Sequence, residues 1–355
     1  PPHSFLHDAL PISPLGWRLA NPQDAKGAMA LMLSGGGVRV EGDNIWDVET
    51  VDTGAVTLTT TEAPMEGDGT RLVYHPQRFA LGLGCARGCD VEEMWALVQK
   101  TLAENNIAAG AIACVGSLDL KGDEPAMIET AARLGVPFRV FTAAELEVQT
   151  PRLANPSAVV FDEVGCHGVS EGAALALGGE AAVLAVQKQK TANATCALVR
   201  TDAPITEFAG RSRGKLSIIG IGPGQHSWRT PEASALVAEA EELVGYGLYI
   251  DLLGALAHGK ERSDFPLGGE EDRCRYALEQ AGKGKNVALI CSGDAGIYAM
   301  GALVFELLDR GPDEMGVSDA AHRVEVVSTP GVSALQGAAA RAGAPLGHDF
   351  CAISL

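Results

Sequence analysis

Aromatic residues are scarce in this chain of 355 residues, 5% in all, and no apolar run reaches the roughly 20 residues a membrane helix needs. Basic residues are outnumbered, with Lys and Arg at 27 against Asp and Glu at 45. The net charge of -18 argues against nucleic acid and anionic membrane surfaces as partners. An anionic small substrate stays open, because a local basic pocket can sit on an acidic protein. Paired cysteines are also lacking. Cys85, Cys89, Cys114, Cys166, Cys196, Cys274, Cys291 and Cys351 are scattered, which fits reduced thiols in a cytoplasmic protein. Cys85 and Cys89 with Cys166 and His167 suggest zinc only loosely, without a CxxC pair, so no metal site is expected. Residues Pro1–Pro14 lack a basic stretch leading an apolar one and do not read as a secretory signal. They fit nothing downstream and read as a non-native or disordered leader.

What the chain has in quantity is glycine, 43 residues, and its placement is informative. The stretch Leu216–Gln225, LSIIGIGPGQ, is a β-branched apolar run that ends in Gly220, Gly222 and Gly224, with Pro223 between the last two. This predicts a buried strand entering a tight loop built to hold a ligand against bare backbone. A dinucleotide site would need a third glycine three residues after the second and a carboxylate closing the next strand. Gln225 and Tyr246 occupy those places. Two more strand-to-loop junctions follow: Asn286–Cys291 enters Ser292, Gly293, Asp294, Ala295, Gly296, and Val324–Val327 enters a loop through Pro330, Gly331, Ser333 and Ala334. Ligands in open α/β sheets sit beyond the carboxyl ends of the strands, so the three loops are expected to line one crevice.

These motifs, GIGPG, SGDAGIYAM and PGVSALQ with APLGHDFCAISL, resemble those of the tetrapyrrole methyltransferases, and within them the precorrin-3B C-17 methyltransferases of cobalamin biosynthesis. The resemblance runs over residues 215–355. It implies the N-terminal α/β domain of a class III methyltransferase, with S-adenosyl-L-methionine as cofactor and a precorrin as substrate, methylated at C-17 with ring contraction to precorrin-4. The cofactor would lie against Gly220, Gly222, Pro223 and Gly224, then Ser292, Gly293, Asp294 and Ile297, then Ser333 and Ala334. Asp294 also reads as a turn residue capping a following helix. Ala295 departs from the proline usual after the Gly-Asp pair. Tyr246 and Tyr249 would lie near the tetrapyrrole or pack as core. Arg229, Lys260, Arg262, Arg273 and Arg275 are candidates for pairing with the carboxylates of the substrate, although Arg273 and Arg275 lie on a charged helix whose face reads in part as solvated.

Upstream, residues 15–78 read as a partial α/β region, with Asn21 and Pro22 opening a helix and Gly35–Gly37 stopping it. Residues 79–202 alternate short strands and helices, which predicts a layered α/β domain. Asp90 with Glu93, and Thr142 with Glu145, have capping-box spacing. The motifs GLGCARG, SLDLKGDEP, ANPSAVVFDEVGCHGVSEGAAL and VQKQKTANATCALVR resemble the C-terminal domain of the cobalt-precorrin-5A hydrolases. That resemblance implies lactone hydrolysis or, where activity is lost, a non-catalytic tetrapyrrole carrier. Hydrolysis needs a base and cations, for which Asp119 and Glu124, and Arg87, Lys121, Lys188 and Lys190, are candidates. Each also reads as an ordinary loop charge, and His167 as a structural or cap-region histidine. Residues 203–214 have linker composition. The expected protein is thus a fusion of a hydrolase-like domain with a methyltransferase domain. The resemblance stops before a second methyltransferase domain, so this chain alone is expected to turn over poorly. Homodimers are the family expectation.

Overall fold

The computed structural model describes residues 13–46, 48–311, 314–344, 346–347, 349–351 and 353. Most of the leader, residues 1–12, and part of the APLGHDFCAISL motif lie outside the described residues. By internal contact the chain divides into two compact units, Pro1–Gly210 and Arg211–Leu355.

The first unit holds two sheets. In the smaller, Val38–Glu41, Val56–Thr60 and Arg71–Pro76 run parallel, and Trp17–Leu19 joins antiparallel beside Arg71–Pro76. The helix Ala25–Leu33 buries Ala25 and Ala28 against Val56, Leu58 and Leu72. Asn21 does not cap that helix as its sequence suggests. Its side chain accepts from the Val73 amide at 3.0 Å and donates to the Arg71 carbonyl at 2.9 Å, so it ties the loop to the sheet. A short 3₁₀ turn, Pro22–Asp24, starts the helix instead.

The larger sheet is layered α/β. Phe138–Phe141, Ile112–Leu118 and Phe79–Cys85 run parallel, and Ala194–Arg200 and Val183–Lys190 continue it antiparallel. Side chains alternate between two cores, as the two-residue period of a strand demands. Phe79, Leu81 and Leu83 pack with Met94 and Met127 of helices Val91–Glu104 and Pro125–Leu134, while Ala80 and Val199 pack with Ala173 and Leu177 of helix Val169–Gly178. The Thr142–Glu145 capping box forms. The Asp90–Glu93 box does not. Asp90 caps the Glu92 amide alone, while Glu93 reaches across to Thr191 and Asn193.

The second unit is a five-stranded parallel sheet in the order Glu261–Phe265, Glu242–Tyr246, Asn286–Cys291, Lys215–Gly220, Glu325–Thr329. Leu216, Ile218, Val287 and Leu289 face helices Glu270–Gly282 and Gly301–Asp309, whereas Ile219, Ala288 and Ile290 face helix Pro231–Glu239. The chain opens in Lys215–Gly220, runs out to one edge, returns to insert Asn286–Cys291 beside its first strand, and ends on the opposite side with Glu325–Thr329. Both neighbours of the first strand therefore deliver their loops to the same end of the sheet. Among the described residues no helix is long and apolar enough to cross a membrane.

Candidate functional site

The three loops converge on one point. Gly222 and Gly293 exchange backbone hydrogen bonds of 3.1 and 2.9 Å, each with positive φ (+75° and +68°), a conformation that side chains resist. Gly220 and Gly331 are needed for a different reason, close approach. A Cβ on Gly220 would stand 2.6 Å from the Gly293 carbonyl oxygen, and one on Gly331 would overlap that same oxygen and stand 3.0 Å from Gly220. Asp294 locks the arrangement. Its Oδ1 accepts from the Gly296 amide at 2.8 Å and its Oδ2 from the Gly331 amide at 3.0 Å. No helix follows Asp294 directly, since the next begins at Gly301, so the residue clamps two loops rather than capping.

Ser333 is buried and caps helix Ala334–Ala342 in a capping box with Gln336, while Ala334 is exposed beside it. The positions of Ser333 and Ala334 lie 3.6 and 3.7 Å from where a Cβ on Gly293 would sit. Pro223 is exposed and Gly224 half-buried. Ile297, 47% exposed, and Tyr298 stand on the outer turn of the second loop. Ala295, in the place usual for proline, is fully buried in the core behind it. Sequence reasoning missed the latch on the first loop: Gly337 lets the third-loop helix approach Trp228, and Arg341 lies over the Trp228 ring at 5.0 Å and bonds Gln225. The singly placed tryptophan and the helical Gly337 were the available signals.

Most of the basic residues marked for substrate are committed within the unit. Arg262 pairs with Asp251 and Asp264, Arg275 with Glu271, Lys260 bonds the carbonyls of Ala238 and Ala240, and Arg229 bonds Ser234. Arg273 breaks the expectation of a solvated face, being only 2% exposed. Tyr246 and Tyr249 pack edge to face, with ring centroids 5.3 Å apart.

In the first unit, Arg87, Lys121 and Glu124 come together at the ends of strands Phe79–Cys85 and Ile112–Leu118. Glu124 is fully buried. One oxygen accepts from the Gly88 amide at 2.8 Å, and the other lies 3.2 Å from Arg87 and 3.8 Å from Lys121. A base that activates water needs a lone pair open to water. Glu124 clamps the two loops through Oε1, and its Oε2, closed off from solvent, accepts no hydrogen bond among the described residues. Arg87 also holds Asp123 and the Leu120 carbonyl, both at 2.7 Å. Asp119 lies on the short turn Asp119–Lys121, half-buried. Burial, with the Glu124 charge adding, pushes the Cys85 thiol up to about 12, so it stays a protonated, inert thiol at neutral pH. Lys188 does not join this cluster. It lies on the edge strand Val183–Lys190, as Lys190 does, two strands away, and its ammonium bonds the Asn155 carbonyl at 3.3 Å. His167 is tied to Glu147 and stacked on Phe161, a structural role.

The family described as "Cobalamin synthesis G C-terminus" matches residues 79–199, and "Tetrapyrrole (Corrin/Porphyrin) Methylases" matches residues 215–355. "Protein CobE" of Sinorhizobium sp is 49% identical over 120 residues, covering 34% of this chain and 78% of that protein. "Precorrin-3B C(17)-methyltransferase" of Sinorhizobium sp is 45% identical over 142 residues, 40% of this chain and 53% of that one. A solved structure of the methyltransferase CobJ shares 39% identity over 39% of this chain and 55% of its own, with a TM-score of 0.36. The chain spans about half the length of the methyltransferase relatives it matches. Through residues 79–199 the chain belongs to the cobalamin synthesis G C-terminus family, and in the same polypeptide residues 215–355 match the tetrapyrrole methylases.

Proposed function

We propose that the second unit holds S-adenosyl-L-methionine and supplies the methyl-donor half of precorrin-3B methylation at C-17, with ring contraction to precorrin-4, in a protein that also carries a cobalt-precorrin-5A hydrolase-like domain. The observation that carries this reading is the closure of three strand-end loops on one another through Gly222, Gly293 and Gly331, which leaves a ligand floor made of backbone.

The residues present fit that cofactor. The bare backbone of Gly293, with Ser333 and Ala334 in van der Waals reach of it, and the exposed Pro223 suit a ligand gripped by shape and amide groups rather than by a charged side chain. When bound, the sulfonium supplies an already activated methyl group, so the task left to the protein is alignment. Gly222, Pro223 and Gly224 form the first wall, with Gly220 allowing the strand end to approach the second loop. Ser292, Gly293 and Ile297 form the second wall, held in register by Asp294, and Ser333 with Ala334 forms the third.

Calorimetric titration with S-adenosylhomocysteine, with NAD as control, tests the reading. We expect the first to bind and the second not, and Ala334→Phe, which adds bulk at an exposed helix start, to weaken S-adenosylhomocysteine at least 10-fold without lowering the melting temperature. Binding of NAD in its place, or no binding of S-adenosylhomocysteine, would overturn the assignment.

A further inference from the structure

Beside the glycine loops, on the side of helix Glu270–Gly282, lies a cavity of about 260 Å³ whose lining includes Tyr249, Leu267, Glu270, Arg273, Ser292 and Met300. Its unusual wall is Arg273. A guanidinium carries five donors and never loses its charge inside a protein, so burying one is costly unless acceptors surround it. Arg273 is 2% exposed, yet it has one strong acceptor, the Pro266 carbonyl at 2.8 Å from Nη2, and one weak acceptor, the Met300 thioether at 3.2 Å from Nη1. Its Nε has no hydrogen-bond partner among the described residues. The nearest carboxylate, Glu270, stands 4.0 Å away, outside hydrogen-bond range, and gives its Oε1 to the Gly268 amide at 3.1 Å. This charge is under-compensated inside a cavity whose other walls are largely apolar and whose rim, Ser292, belongs to the second loop of the site.

The geometry points to a carboxylate-receiving pocket: Arg273 pairs with a carboxylate carried on a short apolar stem, namely an acetate or propionate arm of the tetrapyrrole substrate. The planar fork of arginine matches a carboxylate edge to edge, which a lysine at this place would not. Leu267 and Met300 pack the stem, and Tyr249 covers it. The inference rests on the methyl-donor reading of the adjoining loops and adds to it the anchor for one edge of the substrate. Glu270 is the discriminating element, because its negative charge lowers the affinity of the pocket for an incoming anion and thereby selects arms that reach Arg273 fully.

The test is titration of this chain with uroporphyrin III, whose arms are acetates and propionates, followed by its absorption, alongside calorimetry with S-adenosylhomocysteine. Arg273→Met should weaken uroporphyrin at least 10-fold and leave S-adenosylhomocysteine unchanged. Glu270→Gln, at a half-exposed side chain that folding tolerates, should tighten uroporphyrin about 3-fold, the size of one screened charge near the surface. Weakening of S-adenosylhomocysteine by Arg273→Met, with uroporphyrin unchanged, would overturn the tetrapyrrole assignment and give the pocket to the amino-acid end of the cofactor. If S-adenosylhomocysteine binds and Glu270→Gln moves neither ligand, the pocket assignment is overturned while the methyl-donor reading stands, even where Arg273→Met fails to fold. Failure of wild-type chain to bind uroporphyrin would also overturn it. Failure to bind S-adenosylhomocysteine sinks both.

Discussion

Gly331→Ala should reduce S-adenosylhomocysteine affinity by about 100-fold or more while the second unit remains folded. A single added methyl group overlaps the Gly293 carbonyl oxygen and crowds Gly220, and all of these atoms are backbone, which cannot swing aside as a side chain can. The third loop must then lift from the other two. Lifting it breaks the Asp294 bond to the Gly331 amide, releases the Gly222–Gly293 pair from its cover, and shifts Ser333 and Ala334 from the start of helix Ala334–Ala342. A 100-fold loss corresponds to about 2.7 kcal/mol, comparable with one overpacking event. Apart from the Gly220 end of the first strand, the five parallel strands and both helical faces lie outside the perturbation, so the melting temperature should move by only a few degrees. Calorimetry on the variant decides it, and an affinity within threefold of the unaltered chain would show that the loops do not act as one cradle.

Glu171→Gln is expected to destabilise the first unit by about 3 kcal/mol at neutral pH, and the deficit should shrink in acid. Glu171 is 2% exposed and accepts four hydrogen bonds: the amides of Ala154 and Asn155 at 2.9 Å, the Asn155 side chain at 2.8 Å, and the Lys188 amide at 2.9 Å. It thereby joins helix Val169–Gly178, the loop before Ser157 and the edge strand. A glutamine offers one acceptor oxygen and turns an amide NH2 on the remaining donors, leaving buried N–H groups unmatched at about 1–3 kcal/mol each. Burial alone pushes the Glu171 carboxyl up. The Lys188 amide, the Asn155 side chain and amide, and the Ala154 amide together outweigh it, and the pKa ends below the usual carboxylate value. A depressed folded-state pKa contributes stability that is complete above the unfolded value, about 4.3, and is lost as the pH falls through the lower folded value. Urea unfolding followed by tryptophan emission reports on this unit, because Trp17, Trp46 and Trp95 lie in it and only Trp228 in the other. Midpoints for variant and parent should be well separated at pH 7 and approach one another at pH 3. A separation independent of pH would mean that the carboxylate charge contributes nothing to holding these three segments.

Many elements of both units were legible because their signals are local. Asn286–Cys291 and Phe138–Phe141 appear as strands with the bounds that their apolar runs suggest, and the Thr142 cap lies where side-chain chemistry places it. Failures came where a polar side chain had a choice of partner. Asn21 and Glu93 have the spacing of caps, but each finds a better-placed donor or acceptor on another strand or loop. Arg273 carries the periodicity of a charged helix, yet its turn of that helix faces Met300 and the sheet. Lys188 and Glu124 carry complementary charges in motifs of one domain, but the order of strands in the sheet keeps them apart.

What the sequence determined by itself is the order of strands, helices and glycine-rich turns, because β-branched runs, caps and backbone-permissive residues act on their immediate neighbours. Only the tertiary structure decided that Gly331 closes on Gly293, that Asp294 clamps loops instead of capping a helix, and that Arg273 is a buried charge beside a cavity. Those outcomes depend on segments far apart in the chain sharing volume and hydrogen-bond partners, and competition for a partner is settled by distance in space, which spacing along the chain does not encode.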